Sequence, residues 1–346
     1  MTGKLSRDIN WLIFILLMLK GSDGCLIAQT PVSGTINKYA RVNSIGADFV
    51  TVDDAVQFSQ FQAGDTVLLI QMKGVAIYAA ENNSYGLISN IQGQPGHHEF
   101  LTVISVESGP PRKIIFRNPV ITSFDVNGDV QIIKVPSYYN AVVNTGLSCS
   151  PWDSLSKTGG VLAAIVWRTL SLNSNIDVSG KGFKGGAVTA GQGTCIIVNE
   201  SKWDEWAYSG TSDSSGYKGE GLTILADPEA DNTPPFVPVH PSFAKGKGMN
   251  FNSGGGGNGR FSGGGGGSNY GEGGKGGSEQ AVCLPAKSGG SGGLKIPGTA
   301  LEGGLFLGGG GGGSTNQGGT PSAGGNGGGI IILICDTIQA NNHNIL

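Results

Sequence analysis

Charge is scarce in this chain. Lys, Arg, Asp and Glu together make up 14% of its 346 residues, against about 25% in an average globular domain. The 22 basic and 25 acidic residues nearly cancel, leaving a net charge of −3. That balance lacks the basic footprint of a nucleic-acid binder. No C-x-x-C spacing occurs and the four histidines lie away from the cysteines, so no zinc pattern forms. G-x-x-x-x-G-K-[ST] and H-E-x-x-H are absent too, which removes the sequence support for phosphate-loop and zinc-protease chemistry. No cofactor is implied. No apolar run reaches the roughly 20 residues needed to span a bilayer. Helical periodicity is also missing from the first half of the chain.

Glycine is abundant, at 62 residues. It falls in runs and not at every third position, so a collagen helix is excluded. The 5 Trp, 8 Tyr and 13 Phe, with β-branched segments around them, exclude wholesale disorder.

Residues 1–28 read as a secretory signal. Lys4 and Arg7 form the positive n-region, and the apolar run Trp11 to Leu19 forms the h-region. Cleavage is expected after Ala28, leaving Gln29 at the new N-terminus; a lipoprotein cut before Cys25 is the rival. Export machinery is therefore an expected partner, and the expected location is secreted or cell-surface, associated with the outer membrane. Four cysteines remain after such a cut, and an even count in an exported chain permits disulfides. Cys195 and Cys283 flank the irregular middle of the chain and are the favoured pair. Cys335 reads as a buried free thiol inside the apolar run Ile330 to Ile334.

Residues 29–150 carry strand signals at 67–70, 100–104, 113–116 and 130–133, bounded by turn clusters. They read as a small all-β barrel or sandwich. Residues 151–186 hold a first β-rung, in which Gly159-Gly160 precedes an apolar strand at 161–167, a short strand at 169–173 and the isolated Ile176. The last stretch, 330–346, repeats that grammar: Gly328-Gly329, Ile330 to Ile334, Thr337-Ile338 and Ile345. Such a repeat suits neighbouring rungs of a β-solenoid or a shared sheet. Between them lie an irregular loop (187–245) and a glycine-rich tract (246–329) with 37 glycines in 84 residues. A tether is one reading of the tract. The favoured reading is a bundle of extended, threefold glycine strands of polyglycine-II type, bonded laterally, in which only glycine fits the crowded contacts.

Several motifs that look like chemistry have plainer explanations. Gly180 to Gly185 matches G-x-G-x-x-G but no helix follows it. Gly289-Gly290-Ser291-Gly292-Gly293 matches a nucleophile elbow but lacks the strand-to-helix turn. His97 and His98, beside Glu99, read as an exposed turn. Asp125 to Asp129 reads as an Asn-Gly hairpin turn, without the later Glu of a calcium loop.

The segment Gly64-Asp65-Thr66-Val67-Leu68-Leu69-Ile70-Gln71-Met72-Lys73-Gly74 resembles a strand of large surface proteins from gliding, type-IX-secreting bacteria. Glu99-Phe100, Phe124-Asp125, Val130 to Pro136, Thr158 to Leu162, Ile176 to Gly186 and Gly324 to Ile330 follow in the same order. The chain from about residue 37 onward is thus similar to the glycine-rich N-terminal region of exported adhesin-like proteins. In that family repeats and a sorting domain follow; this sequence shows neither and reads as a truncated frame, a fragment or a short family member. Together these readings predict an all-β protein, a barrel or sandwich followed by a solenoid-like region with a glycine-rich insert. Its expected role is a non-enzymatic structural or adhesive surface module contacting polysaccharide or extracellular matrix through exposed amides and aromatics such as Phe261 and Tyr270. The alternatives are a carbohydrate-active β-solenoid enzyme, with Asp177 near Asp336 if the rungs stack, and a spacer that binds nothing.

Overall fold

The computed structural model describes residues 29–190, 204–224, 244–279, 283, 285–298, 301–316 and 322–346. The protein is all-β, built from a barrel, a short parallel solenoid and a glycine bundle wedged against both.

Strand β1 (Thr30–Thr35) enters the solenoid, and the chain then turns into the barrel through β2 (Lys38–Arg41), β3 (Ser44–Ile45) and β4 (Phe49–Thr51). A single helical turn, α1 (Ala55–Phe58), follows; the Asp54 carboxylate caps it by accepting from the amides of Val56 and Gln57. Next come β5 (Thr66–Gln71), the small hairpin β6 (Val75–Ile77) and β7 (Ile88–Ile91), then β8 (His98–Glu107), β9 (Lys113–Phe116) and β10 (Val130–Lys134). The sheet order is β2-β10-β5-β8-β9-β4-β3. Because β2 and β3 are consecutive, the Val42 amide bonds back to Val130 while the Asn43 amide bonds to Thr51. One kinked strand thereby joins both ends of the sheet and closes it. Alternation along each strand fills the interior with Val67 and Leu69, Val130 and Ile132, Leu101 and Val103, and Ile114 and Phe116. The expected Asn-Gly hairpin at 125–129 is not one. Strands β9 and β10 do not pair, and Val126–Gly128 is a 3₁₀ turn capped by Asp125.

Strands β11 (Ser137–Tyr138), β12 (Ala141–Ser148), β13 (Val161–Leu172) and β16 (Ile330–Gln339) stack in parallel with β1. The strands before residue 150 are thus shared between barrel and solenoid. The repeated grammar is in register: Val161 faces Ile330, Thr169 faces Thr337, and Ile176 faces Ile345 beyond the corner. Corner asparagines stack as well, Asn173 donating to Asn144 at 3.1 Å and Asn175 accepting the Asn344 amide at 2.9 Å. The strands expected separately at 161–167 and 169–173 are one strand, β13, interrupted by a bulge. There Trp167 and Arg168 together oppose Asp336. Cys335 lies at the exposed end of the stack and is half-buried, not buried.

The glycine tract folds as a bundle. Segment 308–315 runs through its middle, and its amides repeat with period three. Those of Gly308, Gly311 and Ser314 donate to Gly328, Gly325 and Ser322; those of Gly309, Gly312 and Thr315 donate to Ser268, Gly265 and Ser262; those of Gly310 and Gly313 donate to Glu220 and Tyr217. Its carbonyls accept from Phe183, Gly186 and Thr189 on one side and from Gly254 and Gly257 on another. A period of three is the signature of a threefold extended helix. Short strands β14 (Thr189–Ala190) and β15 (Thr315–Asn316) pair at one end of this array. The packing leaves no room for side chains: a Cβ on Gly312 would lie 1.8 Å from the Gly255 carbonyl oxygen. Segments 182–187 and 216–220, outside the expected tract, are full members of the bundle.

Candidate functional site

Three parts of the fold meet at one cleft of about 420 Å³. Lys73 leaves the barrel just after β5, Asp129 precedes β10, Trp152 and Lys157 come from the loop that leads into β13, and Glu220 belongs to the bundle. The Lys73 ammonium contacts Glu220 at 2.7 Å and Asp129 at 3.7 Å, and Lys157 reaches Asp129 at 2.5 Å. The Trp152 indole N–H donates to the same Glu220 oxygen at 2.8 Å. Lys73 also lies over the rings of Trp152 and Phe183, which pack edge to face. Both Lys73 and Asp129 are buried. A buried charge removed from its partner is strongly destabilising, so this network fixes the three parts in one mutual geometry. Nearer the cleft mouth, Lys184 pairs with Asp153 at 3.3 Å. Backbone donation from Leu155, reinforced by Ser156 and Lys184, holds the Asp153 carboxyl below its usual range.

Two further contacts pin the bundle. Lys218 is buried with its Nζ 3.8 Å from the Tyr85 ring centroid and 2.5 Å from the Tyr85 hydroxyl. Burial drives the Lys218 amine well below its ordinary range. Asp204 is half-buried, which by itself would raise its carboxyl. Lys247, Asn258 and Ser288 outweigh that, and hold it below the usual value.

The residues singled out from sequence are dispersed. Tyr270 is 94% exposed on the bundle's surface. Beside it Gly271, Gly274 and Gly277 face open space, which makes a strip of bare backbone. Phe261 is only partly exposed and has the Arg260 guanidinium 4.9 Å from its ring centroid, so it is not a free aromatic face. Cys283 is disulfide-bonded and Cys149 and Cys335 are free thiols, while Cys195 lies outside the described residues. So does Ala28; Gln29 is exposed and its amide donates to Ser171 at 3.1 Å. His97 contacts the Glu302 carbonyl, and His98 and Glu99 begin β8 instead of forming a turn. Gly180 to Gly185 leads into the bundle segment 182–187, and Gly289 to Gly293 forms another. Neither joins a helix. Asp177 and Asp336 do not meet: Asp336 pairs with Arg168 at the bulge, whereas Asp177 follows the corner and accepts from the Ser179 amide. Among the described residues no group of His, Cys, Asp and Glu could hold a metal ion. The buried network of Lys73, Asp129, Trp152 and Glu220 had no signal in the sequence, because its members are brought together only by the fold.

No family model matches the chain, and no curated protein matches its sequence. Among solved structures, a similar one is the tailspike protein gp49 from Pseudomonas phage LKA1, at 13% identity and a TM-score of 0.20. The similarity covers 43% of this chain and 23% of the tailspike. No helix among the described residues is long and apolar enough to cross a membrane.

Proposed function

We propose that this protein is an exported, non-enzymatic structural and adhesive module that holds a rigid glycine surface against polysaccharide or matrix polymer. The observation that carries the reading is the central segment 308–315, bonded with period three to the segments around it. Ordering bare glycine opposes folding by more backbone entropy than ordering any other residue. A chain that accepts this penalty and anchors the array through buried Lys73 and half-buried Glu220 gains a stiff surface on which rows of glycine leave the backbone bare between side chains such as Glu272 and Lys275. The strip at Gly271, Gly274 and Gly277 beside exposed Tyr270 is such a surface. Extended polymers could lie along it with their hydroxyls facing backbone amides and carbonyls.

The test is direct. Residues 29–346, shown to be folded by circular dichroism, would be applied to a glycan array and to polysaccharide- and matrix-coated plates. Retention on at least one polymer class is expected. A folded protein that is retained by none of them removes the adhesive half of the reading and leaves a spacer.

A further inference from the structure

The bulge in β13 does more than interrupt a ladder. On the face of the solenoid sheet that looks toward the barrel, Val161, Ala163 and Ile165 alternate inward and pack in the core shared with it. The next residue on that face is Trp167, and it is 62% exposed. Here two residues of β13 oppose the single Asp336 of β16, and a bulge of this kind re-aims side chains. At this point a groove of about 440 Å³ lies between the sheet and the barrel. Its walls are Thr66 and Phe100 from the barrel and Ile165, Trp167, Ile334 and Asp336 from the solenoid.

The chemistry of that groove is specific. The Trp167 indole N–H donates to the Ser137 hydroxyl at 2.8 Å, so the polar edge of the ring is committed and its orientation is fixed. What remains available is the apolar face. Beside it the groove-lining Asp336 pairs with exposed Arg168 at 3.5 Å, offering an acceptor with no net local charge. An apolar wall with a few convergent polar groups is the usual make-up of a small-ligand site. A pyranose ring presents the matching pattern: C–H groups on one face and hydroxyls around the rim. The balanced ion pair favours an uncharged sugar over a uronate. We propose that this groove binds a neutral pyranoside unit of a polysaccharide, stacked on Trp167 with a hydroxyl bonded to Asp336, whose charge Arg168 balances from outside the groove lining. The inference rests on the polysaccharide-contact reading above and moves its centre away from Tyr270 and Phe261.

Soluble neutral oligosaccharides (gluco-, manno- and galacto-configured) and one oligouronate would be titrated into residues 29–346 with the Trp167 indole N–H followed by NMR. A neutral oligosaccharide is expected to shift that resonance. Its affinity should fall at least tenfold in Trp167→Ala, by a smaller factor in Trp167→Phe and Asp336→Asn, and remain unchanged in Tyr270→Ala. If binding survives Trp167→Ala and is lost in Tyr270→Ala, this site is wrong while the adhesive reading stands. Preference for the oligouronate overturns the site as well. So does an effect of Trp167→Ala on self-association alone, which would make the face a protein interface. Absence of binding to any glycan or matrix polymer defeats both proposals together.

Discussion

Lys73 and Glu220 stand 147 positions apart in sequence and touch at 2.7 Å, joining the barrel to the glycine bundle. Their burial sets what each contributes. Removing either partner leaves the other with only its remaining contacts, Asp129 at 3.7 Å for buried Lys73 and the Trp152 N–H for half-buried Glu220, and breaking a buried pair in this way costs up to about 3–5 kcal/mol. Glu220→Gln retains an acceptor for the Trp152 N–H and should fall at the low end of that range. Glu220→Ala loses both contacts and should lie at the high end. Urea denaturation of the two variants beside Lys73→Met would check this, and a double Lys73→Met, Glu220→Ala variant should be less destabilised than the sum of its parents.

The bundle makes a paired prediction about glycine. At Gly312 an added methyl would meet the Gly255 carbonyl oxygen at 1.8 Å and its carbon at 2.4 Å, both backbone atoms held by lateral bonds. Gly312→Ala should therefore destabilise by about 1–3 kcal/mol or more. Gly274 has nothing within 4 Å of the same methyl. There, Gly274→Ala reduces the freedom of the unfolded chain and should stabilise by about 0.4–1 kcal/mol. Thermal midpoints moving in opposite directions would bear out the packed array; equal, small shifts would mean a loose one.

Legibility followed range along the chain. Strand β9 spans the residues expected from its β-branched run, and the solenoid register was visible in two matching stretches, because rungs that stack must repeat their inward residues. The glycine runs announced a bundle for the same reason: only glycine fits every contact. Members with mixed sequence escaped notice. In 216–220 it is Gly216 and Gly219 that face the crowded interior, where an added Cβ would lie 2.1 Å from the carbonyl oxygens of Gly313 and Gly310. Tyr217, Lys218 and Glu220 fill the positions between and disguise the period of three. Asp129 was hidden in what looked like a hairpin turn, since its partners Lys73 and Lys157 come from distant segments.

Stability should depend on pH through Lys218 and Tyr85. Burial keeps the Lys218 amine well below its ordinary value, so the unfolded chain binds the extra proton. Stability therefore rises with pH from the folded-state value up to about 10.4, where the unfolded lysine also becomes neutral. Burial raises the Tyr85 phenol, with Glu81 adding to the effect. The unfolded chain then loses its proton first, and stability declines above about pH 10. Urea midpoints measured from pH 7 upward should climb and then turn over near pH 10. In Lys218→Met the climb should be reduced and the decline retained; an unchanged profile would show that Lys218 titrates normally.

The two ends of the solenoid differ in how they meet solvent, and the difference predicts behaviour at high concentration. In β1 the Thr30 amide bonds inward to Asn140, so the next nitrogen, that of Pro31, faces the outer edge and has no proton to offer. Proline there blunts strand addition. In β16 the Ile330 amide bonds inward to Gly160. By alternation, the amides and carbonyls of Ile331, Leu333 and Cys335 face outward, on a strand whose side chains are apolar and only partly covered. Among the described residues no further strand pairs with this edge, and an uncovered edge templates pairing with another strand. Concentration-dependent association is expected in sedimentation velocity. Cys335→Pro, which removes an outward N–H and no ladder bond, should reduce it with little loss of thermal stability. Association that persists unchanged in that variant would place the contact elsewhere on the molecule.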